Sequence, residues 1–167
     1  MSIIVEDGTV VDNANSWTTR AEYIAYAKTK GITIHNSATA DTDLVKACEF
    51  INSHEESLKG DRVSREQPTA YPRRNLVLEG FSWGSDEIPR QVILCQLSVA
   101  LDIHAGVDPY NPPANPAIQA KKEKVDVIEV EYFGRDSGQK MSRTSTATAI
   151  LNTLLRRSGL QIALVRS

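Results

Sequence analysis

The most apolar helical pattern in the chain lies between residues 89 and 106. Its apolar residues cover more than one helix face, and such a helix is usually packed on several sides. Pro89 suits a first helical position, because a missing N–H costs nothing there, and Gly106 can end the helix in a left-handed conformation. We therefore expect a central helix to about His104, built on Val92, Ile93, Leu97, Val99, Ala100, Leu101 and Ile103.

Two shorter helical patterns precede the central one. Thr19 and Glu22 have the spacing of a capping box, which predicts a helix from there to Gly31. A second helix should begin at Asp41 or Thr42, since either side chain can cap it. Its apolar residues recur at helical spacing; they are Leu44, Val45, Cys48, Ile51 and Leu58.

The pattern changes after the central helix. Residues 109–116 contain four prolines, which favours a stiff, extended linker. Residues 125–133 alternate apolar and acidic positions, as a half-buried strand does. Ser145 can cap a short helix, and residues 160–164 predict a last short strand. At the other end, the turn-like pair Asp7-Gly8 predicts either a small hairpin or an arm that orders only on a neighbour.

These elements predict a mainly α protein. A small helical bundle spans residues 16–106 and follows an N-terminal arm or hairpin at 1–15. A proline-rich linker with a short basic segment covers 107–124, and a β-α-β extension covers 125–167. Because an isolated pair of strands is marginal in water, this extension should need a surface to lie on, which favours assembly with other chains.

Composition limits the kind of partner. The net charge of −2 over 167 residues is unlike that of a dedicated duplex-DNA binder, which is usually basic. Cys48 and Cys95 lie on apolar helix faces and are expected to be buried free thiols. No signal peptide and no membrane-length apolar run is visible. A reducing cytoplasm is the expected site of synthesis.

The sequence contains no recognisable catalytic or metal motif. His35, His54 and His104 do not have metal-ligand spacing, and two cysteines are too few for a zinc site. Cys48 and His54 fall on different helix faces, so a nucleophile–base pair is not expected. Phosphate-cradling glycine loops are also lacking. We expect neither enzymatic activity nor a cofactor.

An arginine-rich loop before the central helix is the clearest candidate for a contact surface. It contains Arg62, Arg65, Tyr71, Arg73 and Arg74, and interfaces are enriched in arginine and aromatic residues. The alternative is a loop that only caps the core, with its aromatic residue buried and its arginines paired with acidic neighbours.

The loop also carries a resemblance. Its pattern K-G-x-R…Q-P-x-A-Y-P-R, followed by I-P-x-x-V at the start of an apolar helix, resembles the head–tail connector (adaptor) family of tailed bacteriophages, some of whose members are labelled DnaT-like single-stranded-DNA-binding proteins. Other similar segments are Ser16–Glu22, Lys121–Val125, Ile128–Tyr132 and Leu164–Arg166. Tyr71 stands where the family usually has tryptophan, which keeps an aromatic anchor.

The resemblance implies a structural role in the virion, at the head–tail interface. A ring, commonly dodecameric, would dock on the portal protein, extend the DNA channel and meet a neck or tail-completion protein. Packaged DNA would make weak, non-specific contact with it. The C-terminal candidates for docking are Lys121, Lys122, Ile128, Val130, Tyr132, Leu164, Val165 and Arg166. The DnaT-like label of some family members implies the alternative function, a replication accessory protein that binds single-stranded DNA. The residues are compatible with it, because the loop arginines lie near Tyr71, Phe81 and Trp83 in the sequence and could combine charge with base stacking.

Overall fold

The computed structural model describes residues 2–110 and 146–156. Within them the chain is mainly α with small β parts, which confirms the predicted fold class. The helices are α1 (Arg20–Thr29), α2 (Ser37–Asn52), α3 (Arg90–His104) and α4 (Thr146–Leu154), and the strands are β1 (Asp61–Arg62), β2 (Arg73–Arg74), β3 (Val77–Leu78) and β4 (Phe81–Ser82).

Helix α3 is the centre of the bundle, as its apolar pattern predicts. It contacts α1, α2 and α4, and Val92, Cys95 and Ala100 on it are fully buried. Its last residue is His104, and Gly106 follows with a φ of 84° in the left-handed region. Covering α3 on several sides removes its apolar surface from water, which is the main favourable term in folding.

The predicted start of α1 is confirmed, whereas the predicted start of α2 is wrong by about one turn. Both hydrogen bonds of the Thr19–Glu22 capping box are present at α1. Helix α2 begins at Ser37, one turn before the predicted start, because Asn36 caps it by accepting a hydrogen bond from the Ala38 N–H. Asp41 is used differently: its carboxylate pairs with Arg20 through two 2.6 Å hydrogen bonds.

The N-terminal segment forms no hairpin within the described residues, and it is ordered against its own chain. The buried carboxylate of Glu6 accepts hydrogen bonds from the N–H groups of Gly8, Val10 and Val11, at 2.9–3.0 Å. The Glu6 N–H donates to the Ser16 carbonyl at 2.8 Å. The buried Glu6 carboxylate therefore holds residues 6–11 in a loop, at the place where the Asp7-Gly8 pair predicted a hairpin turn.

A buried glutamine ties this segment to the bundle. Gln96 lies on α3 and is fully buried. Its Oε1 accepts from the Trp17 N–H at 2.9 Å, and its Nε2 donates to Ser16 Oγ at 2.9 Å and to the Leu44 carbonyl at 3.0 Å. The amide thus joins the N-terminal segment, α2 and α3 at one point.

The arginine-rich loop contains two short antiparallel ribbons. Strand β1 pairs with β2, which sets Asp61 opposite Arg74. Strand β3 pairs with β4 through a two-residue turn in which Glu79 and Gly80 have φ values of 53° and 86°. Two left-handed residues in such a turn match the natural twist of a hairpin.

Helix α4 completes the bundle. Leu151 and Leu154 are buried against the core, and the Leu154 carbonyl accepts a hydrogen bond from the Lys59 N–H at 2.9 Å. The Arg156 N–H donates to the Ser57 carbonyl at 2.7 Å. Sequence reasoning assigned this helix to a C-terminal extension, whereas the structure packs it on α3. The linker and both predicted C-terminal strands lie outside the described residues.

Candidate nucleic-acid interface

Gln67 organises the arginine-rich loop from within. Its Oε1 accepts from the N–H groups of Val63 and Ser64, at 2.9 and 3.0 Å. Its Nε2 donates to the carbonyls of Thr69 and Pro72, at 2.8 and 3.1 Å. The side chain is buried, and its amide makes four hydrogen bonds. The Q-P part of the motif is therefore a structural device that holds residues 63–72 in one conformation.

Tyr71 is a core residue rather than a contact residue. It is fully buried and packs edge-on against Trp17, with ring centroids 6.1 Å apart. Burial raises the pKa of its phenol, and the Trp17 indole N–H donates to the Tyr71 carbonyl at 3.3 Å. The peptide bond to Pro72 is cis. The aromatic position of the motif anchors the loop to the bundle.

Arg73 is also buried, with 4% of its side chain exposed. Its guanidinium donates to the carbonyls of Ala70 and Gly60, at 3.1 and 3.0 Å, and lies 3.7 Å from a Glu55 carboxylate oxygen. Arg62 pairs with the same oxygen at 3.2 Å. Burial lowers the pKa of the Arg73 guanidinium. These two arginines thus have the acidic partner that the capping interpretation expected.

The other arginines of the loop point to solvent. Arg65 and Arg74 are exposed, and 39% of the Arg62 side chain remains exposed beside Glu55. Of the loop residues proposed as contacts, Arg65, Arg74 and part of Arg62 are therefore available to a partner. The C-terminal candidates lie outside the described residues; they are Lys121, Lys122, Ile128, Val130, Tyr132, Leu164, Val165 and Arg166.

A further arginine joins the loop from the end of α4. Arg156 donates from Nε to the Leu58 carbonyl at 2.9 Å and from Nη2 to the Gly60 carbonyl at 2.7 Å. The Gly60 carbonyl thus accepts from Arg73 and Arg156 together, which brings two guanidinium groups to one atom. We call the resulting group the arginine cluster: Arg62, Arg73, Arg74 and Arg156.

Asp61 lies within the arginine cluster. A hydrogen bond from Asn75 lowers the pKa of its carboxyl, and the charges of Arg156, Arg74 and Arg73 act in the same direction. Sequence reasoning missed Arg156 as a member of the site. Its position at the basic end of a helix gave no sign of contact with residues 58–61.

The β3–β4 hairpin presents an aromatic side chain to solvent. Phe81 is 73% exposed and Val77 is 51% exposed. Trp83 is half-buried, and its backbone N–H donates to the Leu76 carbonyl at 2.9 Å, which holds the base of the hairpin. Exposed aromatic rings beside cations are the usual components of single-strand binding surfaces.

A pocket of about 620 Å³ joins the arginine cluster to the hairpin. It lies where the hairpin, the start of α3 and the end of α4 meet, and its volume is in the ordinary range for small-ligand sites. It is lined by Lys59, Leu78, Glu79, Gln91, Asn152, Thr153, Leu155 and Arg156.

Other chemistry is not assembled in the described part of the chain. Cys48 and Cys95 are buried free thiols, as predicted, and burial raises the pKa of each to about 12. Cys48 accepts a weak hydrogen bond from Asn52, whereas His54 Nδ1 lies 2.9 Å from the Phe50 carbonyl. Residues 2–110 and 146–156 contain no group of three metal-ligating side chains, and no helix among them could span a membrane.

Comparison with known protein families gives a match over the whole sequence. Residues 1–167 match the family described as "Putative DnaT-like ssDNA binding protein". This description agrees with the DnaT-like label in the sequence resemblance and makes no reference to a phage connector. Neither a curated protein nor a solved structure matches the chain.

Proposed function

Because the chain belongs to the DnaT-like ssDNA-binding family, we propose that it binds single-stranded DNA and that it acts by binding, without catalysis. The observation that carries the proposal is the exposed part of the arginine cluster, namely Arg74, Arg156 and partly exposed Arg62. Buried Arg73 supports it from within, since it donates to the same Gly60 carbonyl as Arg156. Phosphate groups are bound by such guanidinium arrays, and backbone contact of this kind carries no sequence preference.

The exposed ring of Phe81 supplies the second element of the proposal. A base stacked on an aromatic side chain gains about 1–3 kcal/mol, whichever base it is. The hairpin that carries Phe81 borders the same pocket as Arg156. A strand lying along the arginine cluster would therefore reach this ring with its bases.

Charge sets the expected strength of binding. Acidic residues outnumber basic ones in the described part of the chain, whereas residues 111–145 and 157–167 contain more basic than acidic residues. Long-range attraction to DNA is weak under this balance. Affinity should therefore be modest, independent of sequence and steeply reduced by salt.

The proposal is tested by fluorescence anisotropy with labelled oligo-dT across a range of salt concentrations. Arg74→Glu should reduce the slope of log affinity against log salt by about one. Phe81→Ala should weaken binding roughly tenfold with little change in that slope, because stacking is lost and no phosphate contact is.

Lys28→Glu is the matched control for Arg74→Glu. It makes the same reversal of charge at an exposed position, on α1. If Lys28→Glu and Arg74→Glu weaken binding equally, the arginine cluster is not the interface. Absence of any binding to oligo-dT by the full chain at low salt would overturn the proposed function.

A second candidate is the ring adaptor between the head and tail of a tailed phage. It is supported by the sequence resemblance and by the exposed apolar pair Val77 and Phe81 on a hairpin. Apolar exposure of that kind is common at assembly sites. In this proposal copies of the chain form a ring that docks on the portal protein. Packaged DNA passes through the channel of the ring and makes only weak contact with it.

The adaptor is tested by the mass and shape of the purified assembly. Rings seen by negative-stain electron microscopy, together with tailless DNA-filled heads from a phage lacking the gene, would support it. A monomer that does not associate with portal protein would overturn it. In this candidate Phe81→Ala should block assembly, whereas in the leading one it should only weaken DNA binding.

A further inference from the structure

We propose that the pocket between the hairpin, α3 and α4 takes one unpaired nucleotide of the bound strand. The amides of Gln91 and Asn152 would form hydrogen bonds with the base. Lys59 and Arg156 would bind the phosphate of the same nucleotide. This inference rests on the proposed single-strand function, and it adds a nucleotide site to the phosphate and stacking contacts already described.

The amides are the first support. Gln91 Oε1 is shielded from solvent yet has no hydrogen-bond partner in the described residues. Leaving a buried acceptor unpaired is unfavourable. Because Gln91 lines the pocket, its amide would be stabilised by turning toward a ligand there that donates a hydrogen bond to Oε1. Asn152 is exposed on α4 and lines the same pocket. Asn and Gln amides carry both an acceptor and donors, and they are among the side chains that pair with the hydrogen-bonding edges of bases.

The two cations are the second support. Lys59 Nζ donates one hydrogen bond, to the Thr153 carbonyl at 2.7 Å, and an ammonium has two more to give. Arg156 uses Nε and Nη2 for the carbonyls of Leu58 and Gly60, which fixes the guanidinium. Its Nη1 has no hydrogen-bond partner within residues 2–110 and 146–156. Both cations are thus held in place with donors left for a phosphate.

The remaining lining fits a base rather than a free phosphate alone. Leu78 and Leu155 give the pocket apolar walls, against which a flat ring can pack. Glu79 adds one carboxylate to a lining that also contains two cations, so the lining keeps a net positive charge. A volume of about 620 Å³ is larger than inorganic phosphate requires and suits a nucleotide.

The test compares oligo-dT with an abasic strand of the same length and the same phosphate backbone. Gln91→Ala with Asn152→Ala removes both amides and leaves the cations in place. Neither amide has a partner in the described residues, so folding should be unaffected; thermal unfolding checks this. The double variant should lose about tenfold in affinity for oligo-dT and keep its affinity for the abasic strand.

The outcomes separate this inference from the function on which it rests. If the double variant binds oligo-dT as the natural chain does, the pocket holds no base and single-strand binding stands. If the double variant loses affinity for oligo-dT and for the abasic strand alike, the two amides do not bind a base and the inference fails. If the natural chain binds neither strand, the proposed function fails first.

Discussion

Two buried glutamines carry much of the local order in this protein. Gln67 makes four hydrogen bonds inside the arginine-rich loop, and Gln96 makes three where the N-terminal segment meets α2 and α3. Neither was visible in the hydrophobic pattern, because a glutamine within an apolar helix or a polar loop has no distinctive spacing. Their importance comes from partners that are distant in sequence.

Gln96→Leu should be strongly destabilising. The change leaves the Trp17 N–H buried without a partner, which costs about 1–3 kcal/mol, and it removes the hydrogen bonds that the Ser16 hydroxyl and the Leu44 carbonyl accept from Gln96. We expect the free energy of unfolding to fall by about 2–4 kcal/mol, measured by urea denaturation. Gln91→Leu makes the same change on the same helix and should cost less than about 1 kcal/mol. Equal losses would show that the hydrogen bonds of Gln96 are unimportant.

Alanine substitutions of the neighbouring residues Arg73 and Arg74 should lower the free energy of unfolding by different amounts, measured by the same urea denaturation. Arg73→Ala removes a buried guanidinium that donates to two carbonyls and should cost about 2–4 kcal/mol. Arg74→Ala alters an exposed side chain and should change stability by less than about 0.5 kcal/mol. Substitution of Arg73 is therefore unsuited to testing surface contact. Similar unfolding midpoints for the two variants would contradict the burial of Arg73.

At the scale of elements, sequence reasoning succeeded where the signal is local. Three features depend only on residues within one helical turn: the capping box of α1, the end of α3 at His104, and the left-handed conformation of Gly106. It failed at the start of α2, because Asp41 could equally serve as a cap or pair with a distant arginine. The strands β1–β4 have two residues each, too few for an alternating pattern to show.

Close packing of the N-terminal loop on the segment before α3 gives a prediction about two glycines. Gly8 and Gly31 both have positive φ, at 109° and 74°. A Cβ on Gly8 would lie 1.9 Å from the Asp86 carbonyl oxygen, whereas a Cβ on Gly31 would meet nothing within 4 Å. Gly31→Ala should therefore cost only the left-handed penalty, about 1–2 kcal/mol. Gly8→Ala should cost more than about 3 kcal/mol, because the backbone must also move.

Thermal unfolding of both glycine variants checks this difference. A lower midpoint for Gly8→Ala than for Gly31→Ala is expected. Equal midpoints would mean that residues 6–11 do not pack on the loop before α3, and the N-terminal segment would then be closer to the mobile arm that the sequence allowed.

At the scale of the whole molecule, the candidate site is assembled from parts far apart in the chain. Helix α4 brings Arg156 and Asn152 to a pocket whose other walls come from Lys59, Leu78 and Gln91. Sequence reasoning proposed the loop arginines and three aromatic residues, because these are close together in the chain. Of the aromatic residues, the structure buries Tyr71 and exposes Phe81. Sequence reasoning could not place α4 against residues 57–60, since that contact uses backbone hydrogen bonds, which have no residue signature.

The buried weak acids of the core predict a loss of stability in alkali. Burial raises the pKa of the Cys48 and Cys95 thiols to about 12 from an unfolded value of 9.0. Above pH 9 the unfolded chain loses these protons while the folded chain keeps them, so the free energy of unfolding falls as pH rises. Each thiol should contribute a loss of about 1.4 kcal/mol at pH 10. Burial also raises the pKa of the Tyr23 and Tyr71 phenols, which extends the decline to higher pH.

Urea denaturation at pH 7.5 and pH 10 measures the alkaline loss. Cys48→Ala with Cys95→Ala removes both thiols and will lower stability at either pH, because it leaves space in the core. The informative quantity is the difference between the two pH values, which should shrink by about 3 kcal/mol in the double variant. A difference that is unchanged would show that the thiols ionise as readily in the folded chain as in the unfolded one. In that case α2 and α3 would not exclude water from the core around Cys48 and Cys95.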